Sequence, residues 1–170
     1  MKKFMFLVIL MCFLAGCTES KEDVKVIIDT TQFSNISSEK LISIMGEPEK
    51  VEDYEWTIPS TQKSIVGKLY IYEKNKYEFV LFDDAVARLN VYSGVYWGYD
   101  ESTFQFKKGE DVIKAFGILE TYKNMARTVN TGLVEKYSPV AKGIDEVGIF
   151  EIDNDTFGMA RITYNSDFYN

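Results

Sequence analysis

Leu69-Tyr70-Ile71-Tyr72, Tyr77-Glu78-Phe79-Val80-Leu81-Phe82 and Val86-Ala87-Arg88-Leu89-Asn90-Val91-Tyr92 are three runs rich in aromatic and β-branched residues. Between them stand the turn-formers Glu73 to Lys76 and Asp83-Asp84, so the stretch reads as an antiparallel meander. Side chains alternate across a strand. Tyr70 and Tyr72 therefore share one face, with Leu69 and Ile71 on the other, and one of these faces meets water or a partner unless both are covered. Val51 to Trp56 reads as a further strand ahead of the three.

Upstream of the meander the period changes to that of a helix. Ser37 stands where an N-cap is needed, and Glu39 falls in the first turn, where the helix dipole favours an acid. Leu41, Ile44 and Met45 follow at i, i+3, i+4 spacing. Gly46 then supplies a left-handed C-terminal position, and Pro48 bars continuation. The unit recurs. A shift of 71 residues aligns Phe33, Glu39, Leu41, Ile42, Met45 and Gly46 with Phe104, Glu110, Val112, Ile113, Phe116 and Gly117, and four of these pairs are identical. In the second half Val147 to Ile152 and Thr156 to Tyr164 read as strands around the turn Asp153-Asn154-Asp155, and Ala160-Arg161-Ile162 echoes Ala87-Arg88-Leu89. The segment from Ile118 to Lys142 reads as more helical and irregular than its counterpart.

The expected fold class is α+β: two related repeats, 30–100 and 101–170, each a short helix packed on an antiparallel β-meander. Ser38-Glu39-Lys40-Leu41-Ile42-Ser43-Ile44-Met45-Gly46-Glu47-Pro48, followed by aromatic strands, resembles the small helix-plus-sheet module of β-lactamase-inhibitor-like proteins and of outer-membrane assembly lipoproteins of the SmpA/OmlA type. The inhibitor-like proteins carry that module in tandem, so the resemblance implies a binding role, with inhibition of a surface enzyme or immunity against one as a form of it.

At the other end of the chain, Lys2 and Lys3 precede an apolar run from Phe4 to Leu14 that closes on Leu14-Ala15-Gly16-Cys17. A charged start, a short apolar run and small residues before a cut are the parts of an export signal. The run is about half the roughly 20 residues needed to span a bilayer. Its exit resembles a bacterial lipobox, which implies a signal peptide over 1–16, cleavage before Cys17 and acylation of the Cys17 thiol. Two or more acyl chains anchor stably, at about 0.8 kcal/mol per buried methylene. Residues 17–29 then read as the lipidated cysteine and its tether, polar and charged through Thr18-Glu19-Ser20-Lys21-Glu22-Asp23. The expected location is the cell membrane, lipid-anchored on its extracytoplasmic side.

Composition narrows the chemistry. Without Lys2 and Lys3 the chain has 17 basic and 26 acidic side chains, a net charge of −9. That opposes a nucleic-acid role, which needs clustered Lys and Arg. The chain has no histidine and only Cys12 and Cys17, the first lost with the signal and the second acylated. Zinc sites, Ser-His-Asp triads and Cys-His dyads are thereby excluded, and no cofactor or metal site is expected. Asp153-Asn154-Asp155 and Asp83-Asp84 read as hairpin turns rather than calcium loops, since a full loop needs more ligands.

What remains is a set of binding candidates. Tyr92, Tyr96, Trp97 and Tyr99 cluster at the end of the first sheet, and Tyr and Trp are common anchors of interfaces. Trp97 as a staple between the two halves is the competing reading. Tyr70 and Tyr72 join the set as strand residues. Arg88 and Arg161 occupy matching positions, where pairing with acids across the sheet competes with contact to a ligand. The expected function is a non-enzymatic, membrane-anchored lipoprotein that binds a protein partner in the cell envelope. A carboxylate-based hydrolase of envelope polysaccharide, needing two converging acids, is the alternative from another class.

Overall fold

Ser37 opens the first helix, its hydroxyl accepting from the Lys40 amide at 3.3 Å. The chain then forms α1, Ser38–Met45, and stops at Gly46, where φ is +82° and the amide donates to the Ile42 carbonyl at 2.8 Å. The computed structural model describes residues 26–93, 110–151 and 157–170. After α1 come β1 (Lys50–Thr57), β2 (Ser64–Tyr72), β3 (Tyr77–Phe82) and β4 (Ala85–Tyr92). Then follow α2 (Glu110–Ala115), β5 (Ala126–Asn130), β6 (Val134–Ser138), β7 (Glu146–Glu151) and β8 (Phe157–Thr163). Short 3-10 turns stand at Thr30–Phe33 and Ser166–Phe168. Among the described residues no helix is long and apolar enough to cross a membrane.

The strands form one eight-stranded antiparallel sheet in the order β1-β2-β3-β4-β8-β7-β6-β5. This corrects the expectation of an α+β protein built from two helix-plus-meander repeats. The described residues are mainly β, with α-helices of only 8 and 6 residues. The physical reason is the β4–β8 ladder, which runs from Arg88↔Thr163 to Tyr92↔Met159. It joins the two sets of strands without an edge between them, so no helix-and-meander unit stands alone. A second correction concerns 118–142, expected to be helical and irregular, which contains β5 and β6.

One face of the sheet carries the main core. Phe79, Leu81, Leu89, Val91, Val147, Ile149, Ala160 and Ile162 meet Leu41 of α1 and Val112, Ile113 and Phe116 from α2 and its end. Each such side chain fully removed from water contributes about 1.5–3 kcal/mol. The N-terminal segment ties the parts together. The Thr30 amide donates to the Phe116 carbonyl at 2.9 Å, and the buried Tyr164 hydroxyl donates to the Thr30 carbonyl at 2.9 Å. Gly117, with φ +76°, lies so close to this segment that a Cβ there would stand 2.7 Å from the Asp29 Cα. The opposite face holds a smaller cluster of Val80, Phe82 and Ala87 with Tyr54, Trp56, Ile65, Leu69, Phe168 and Tyr169.

Candidate functional site

The second face of the sheet gathers the polar side chains that its strands carry at alternate positions. Glu78 on β3 is registered with Asn90 on β4, and Asn90 with Arg161 on β8. The Asn90 amide bridges them. Its Nδ2 donates to Glu78 Oε2 at 3.3 Å, and its Oδ1 accepts from Arg161 Nε at 3.2 Å. Tyr92, two residues on, donates its hydroxyl to the same Glu78 oxygen at 2.8 Å. Asn90 thus fixes one edge of the Arg161 guanidinium, which also lies 5.1 Å from the Phe150 ring centroid of β7. Opposite Arg161 in the ladder stands Gly148, whose missing side chain makes room for the Phe150 ring. A Cβ at Gly148 would come within 3.1 Å of the Phe150 ring.

Arg88 lies beside this row. It is registered with Thr163, which makes it the diagonal neighbour of Arg161, about 7–8 Å away on the same face. Its side chain is 7% exposed, and its guanidinium carbon sits 3.1 Å from the Tyr169 ring centroid. Nε of Arg88, Oγ1 of Thr163 and the hydroxyl of Tyr169 are all buried without a hydrogen-bond partner. Burial pushes the Arg88 guanidinium down to about 10, aided by the neighbouring positive charge of Arg161, while Tyr169, Tyr54 and Glu146 oppose the shift. A buried donor left without an acceptor costs roughly 1–3 kcal/mol. Glu146 already pairs with Lys136 at 3.1 Å.

Tyr169 is held in place by the end of the chain. Trp56 Nε1 donates to the Phe168 carbonyl at 2.6 Å, the Ser60 amide donates to the Asn170 carbonyl at 2.8 Å, and the Ser166 amide donates to Asp145 at 2.8 Å. The rings of Phe82 and Phe168 meet tilted at 4.6 Å, and those of Trp56 and Tyr169 tilted at 5.5 Å. The tyrosine hydroxyl of Tyr169 is pushed well up by burial, with Arg88 pulling in the opposite direction.

The residues singled out from the sequence separate into three groups. Arg88, Arg161 and Tyr92 come together on this face. The expected acid partners of the two arginines are absent: among the described residues neither makes an ion pair within 4.0 Å, because Asn90 and Thr163 occupy the registered positions. Tyr70 and Tyr72 lie on the other face. Tyr72 is 3% exposed and packs edge-on to Phe79 at 5.7 Å, and half-buried Tyr70 packs against the same core. Both faces are covered at this end of the strand, since Leu69 belongs to the second cluster, while Val66 at its start is exposed. Tyr96, Trp97, Tyr99 and Cys17 lie outside the described residues, as does the Asp153-Asn154-Asp155 turn. Asp83 and Asp84 do form a two-residue hairpin turn, with φ of +51° and +59°, and Asp84 accepts from the Ser38 amide at 3.2 Å.

Sequence reasoning passed over Glu78, Asn90, Thr163, Phe150 and the pair Phe168-Tyr169. A signal existed for the first three. Each is a polar residue at an alternate position of an otherwise apolar strand, which marks a second face carrying more than water.

No protein-family model matches the chain, and no curated protein matches it. Among solved structures, the chain is similar to an extracellular protein containing an SCP domain from Bacillus anthracis str. Ames, at 11% identity and a TM-score of 0.46. The match covers 85% of this chain and 47% of that one, so this chain spans about half of that protein's length.

Proposed function

We propose that this chain is a membrane-anchored extracytoplasmic lipoprotein, held through acyl groups on Cys17, that binds a protein partner of the cell envelope and catalyses no reaction. The anchor rests on Leu14-Ala15-Gly16-Cys17 after a charged and apolar start. The binding role rests on one observation: two guanidinium groups with no ion-pair partner among the described residues lie side by side on a sheet face bordered by Trp56, Phe168 and Tyr169. Arginine beside Trp and Tyr is the composition in which binding energy concentrates. A chain with no histidine and no cysteine beyond Cys17 lacks the usual catalytic inventory.

The test compares the expressed protein with Cys17→Ser and Arg161→Glu. The wild type is expected to begin at Cys17 with added acyl mass and to partition with membranes, and Cys17→Ser to leave the membrane fraction. Crosslinking in intact cells is expected to yield a specific adduct that Arg161→Glu removes while anchoring persists. Release of an unacylated wild type would overturn the anchor. An adduct pattern identical in Arg161→Glu would overturn the assignment of this face.

A further inference from the structure

We propose that Arg88, Arg161, Thr163 and Tyr169 form a binding site for an oxyanion, a carboxylate or phosphate group taken between the two guanidinium groups. This rests on reading the second face as the binding surface, and adds the chemistry that the surface selects.

Four observations carry it. The first is the excess of donors. Arg88 makes no hydrogen bond or ion pair among the described residues, Arg161 spends only Nε, on Asn90, and the hydroxyls of Thr163 and Tyr169 are buried with no partner. Every one of these groups offers a hydrogen, and no acceptor answers them. The second is burial: Nε of Arg88, Oγ1 of Thr163 and the Tyr169 hydroxyl are shut off from solvent, so water does not take the place of the missing acceptor at these three atoms, while the terminal nitrogens of Arg88 stay open to an incoming anion. The third is charge. Arg88 and Arg161 are diagonal neighbours across β4 and β8, and Arg161 makes the positive charge of Arg88 harder to hold unless an anion joins them. The chain around them is acidic, with 26 Asp and Glu against 19 Lys and Arg, yet the carboxylates at this face are turned elsewhere. Glu78 takes the Tyr92 hydroxyl and the Asn90 amide, and Glu146 takes Lys136.

The fourth is orientation. A guanidinium presents two edges. Asn90 occupies the Nε edge of Arg161, so the two terminal nitrogens are left to present a fork, the geometry that matches a carboxylate or phosphate. Gly148, across the ladder from Arg161, leaves room for the Phe150 ring, which flanks that guanidinium at 5.1 Å and adds no acceptor to it. The Tyr169 ring covers Arg88 and closes the site from the side of the chain's end.

The experiment uses the purified full chain in non-ionic detergent, titrated with sodium phosphate and with sodium acetate against sodium chloride at constant ionic strength. Heat of binding is read by calorimetry, together with the tryptophan fluorescence of a Trp97→Phe background, which reports Trp56, 5.5 Å from the Tyr169 ring. Saturable binding of either anion, weakened at least tenfold in Arg161→Gln and a few-fold in Tyr169→Phe, is the expected result. Tyr169→Phe keeps the ring over Arg88 and removes only the hydroxyl, so it reads the site even where Arg161→Gln fails to fold. Preference for phosphate over acetate assigns a phosphate group, and the reverse preference a carboxylate. No saturable signal beyond chloride, or equal binding in the variants, would overturn the site. No partner is present in this measurement. Its failure therefore leaves the crosslinked adduct untouched, and loss of the adduct with anion binding intact refutes the partner reading alone.

Discussion

Arg88 shows how a residue's neighbours decide its charge. Its guanidinium is buried against Tyr169 and next to a like charge, which lowers its affinity for the proton to about 10. Several tyrosines shift the other way. Burial, first among the causes, pushes Tyr72 up to about 12. It does the same for Tyr137, where the hydrogen bond from its hydroxyl to Glu135 adds to the effect. Tyr164, fully buried, is raised well beyond its usual range. In the unfolded chain a tyrosine loses its proton near 10. From about pH 10 to 12 the folded state thus holds more tyrosine protons than the unfolded state, and stability falls as pH rises. Arg88 contributes the opposite sign above about pH 10, since there the folded state releases its proton first. Three tyrosines outweigh one arginine, so urea denaturation should show stability constant up to about pH 10 and falling above it. Tyr72→Phe should be neutral or stabilising at pH 7, because it deletes a buried hydroxyl that has no partner, and should move the alkaline midpoint upward. Tyr164→Phe should cost about 1 kcal/mol at pH 7, because the Thr30 carbonyl loses its donor. A larger loss in Tyr72→Phe than in Tyr164→Phe would contradict this account.

At the scale of elements, helix ends were legible and the strands β5 and β6 were not. Ser37, Glu39, Gly46 and Pro48 mark α1 because capping and the left-handed stop are local effects of four or five residues. Gly46 and Gly117 both have positive φ but differ in surroundings: nothing lies within 4 Å of a Cβ at Gly46, whereas one at Gly117 meets the Asp29 backbone. Gly46→Ala should accordingly cost about 1–2 kcal/mol, the price of left-handed backbone alone, and Gly117→Ala distinctly more in the same thermal-denaturation series. Equal losses would show that the Asp29 segment yields freely. β5 escaped notice because Ala126, Arg127 and Thr128 are all exposed, so no buried face imposes alternation on its sequence. In β6 the alternation is disguised by Glu135, which is 9% exposed on the core side and satisfied there by Arg127 at 3.1 Å and the Tyr137 hydroxyl at 2.8 Å. The chain's end is held by the Trp56 indole together with the Ser60 and Ser166 amides. Trp56→Phe should remove the donor to Phe168, cost about 1 kcal/mol, and speed proteolytic clipping after Tyr164; unchanged clipping would show that the two amide bonds and ring packing hold the segment without the indole.

At the scale of the molecule the β4–β8 ladder is decisive. Those two strands occupy the middle of the sheet, with Leu89, Val91, Ala160 and Ile162 all at 0% exposure, while β1 and β5 form the edges. Hydrogen exchange should therefore be slowest in β4 and β8 and fastest in β5, and urea unfolding should follow a single transition by fluorescence and by circular dichroism. Two separated transitions would mean that the strands before and after α2 fold as independent units. Ala160→Asp, which buries a charge where both sets of strands meet, should abolish the fold of both.

Taken alone, the sequence determined the caps of α1, the strands β1, β3 and β4 with the last four residues of β2, the hairpin turn at Asp83-Asp84, the second helix and the last two strands, because periodicity and turn chemistry act over a few neighbouring residues. The similarity of Phe33 to Gly46 and Phe104 to Gly117 suggested two units, but likeness of sequence says nothing of which strands pair. Only the tertiary structure decided that β4 would pair with β8, since that choice depends on burying both flanks at once across some 71 residues of chain. The same pairing decided the arginines: it set Asn90 and Thr163, not acids, opposite Arg161 and Arg88, and left two positive groups side by side.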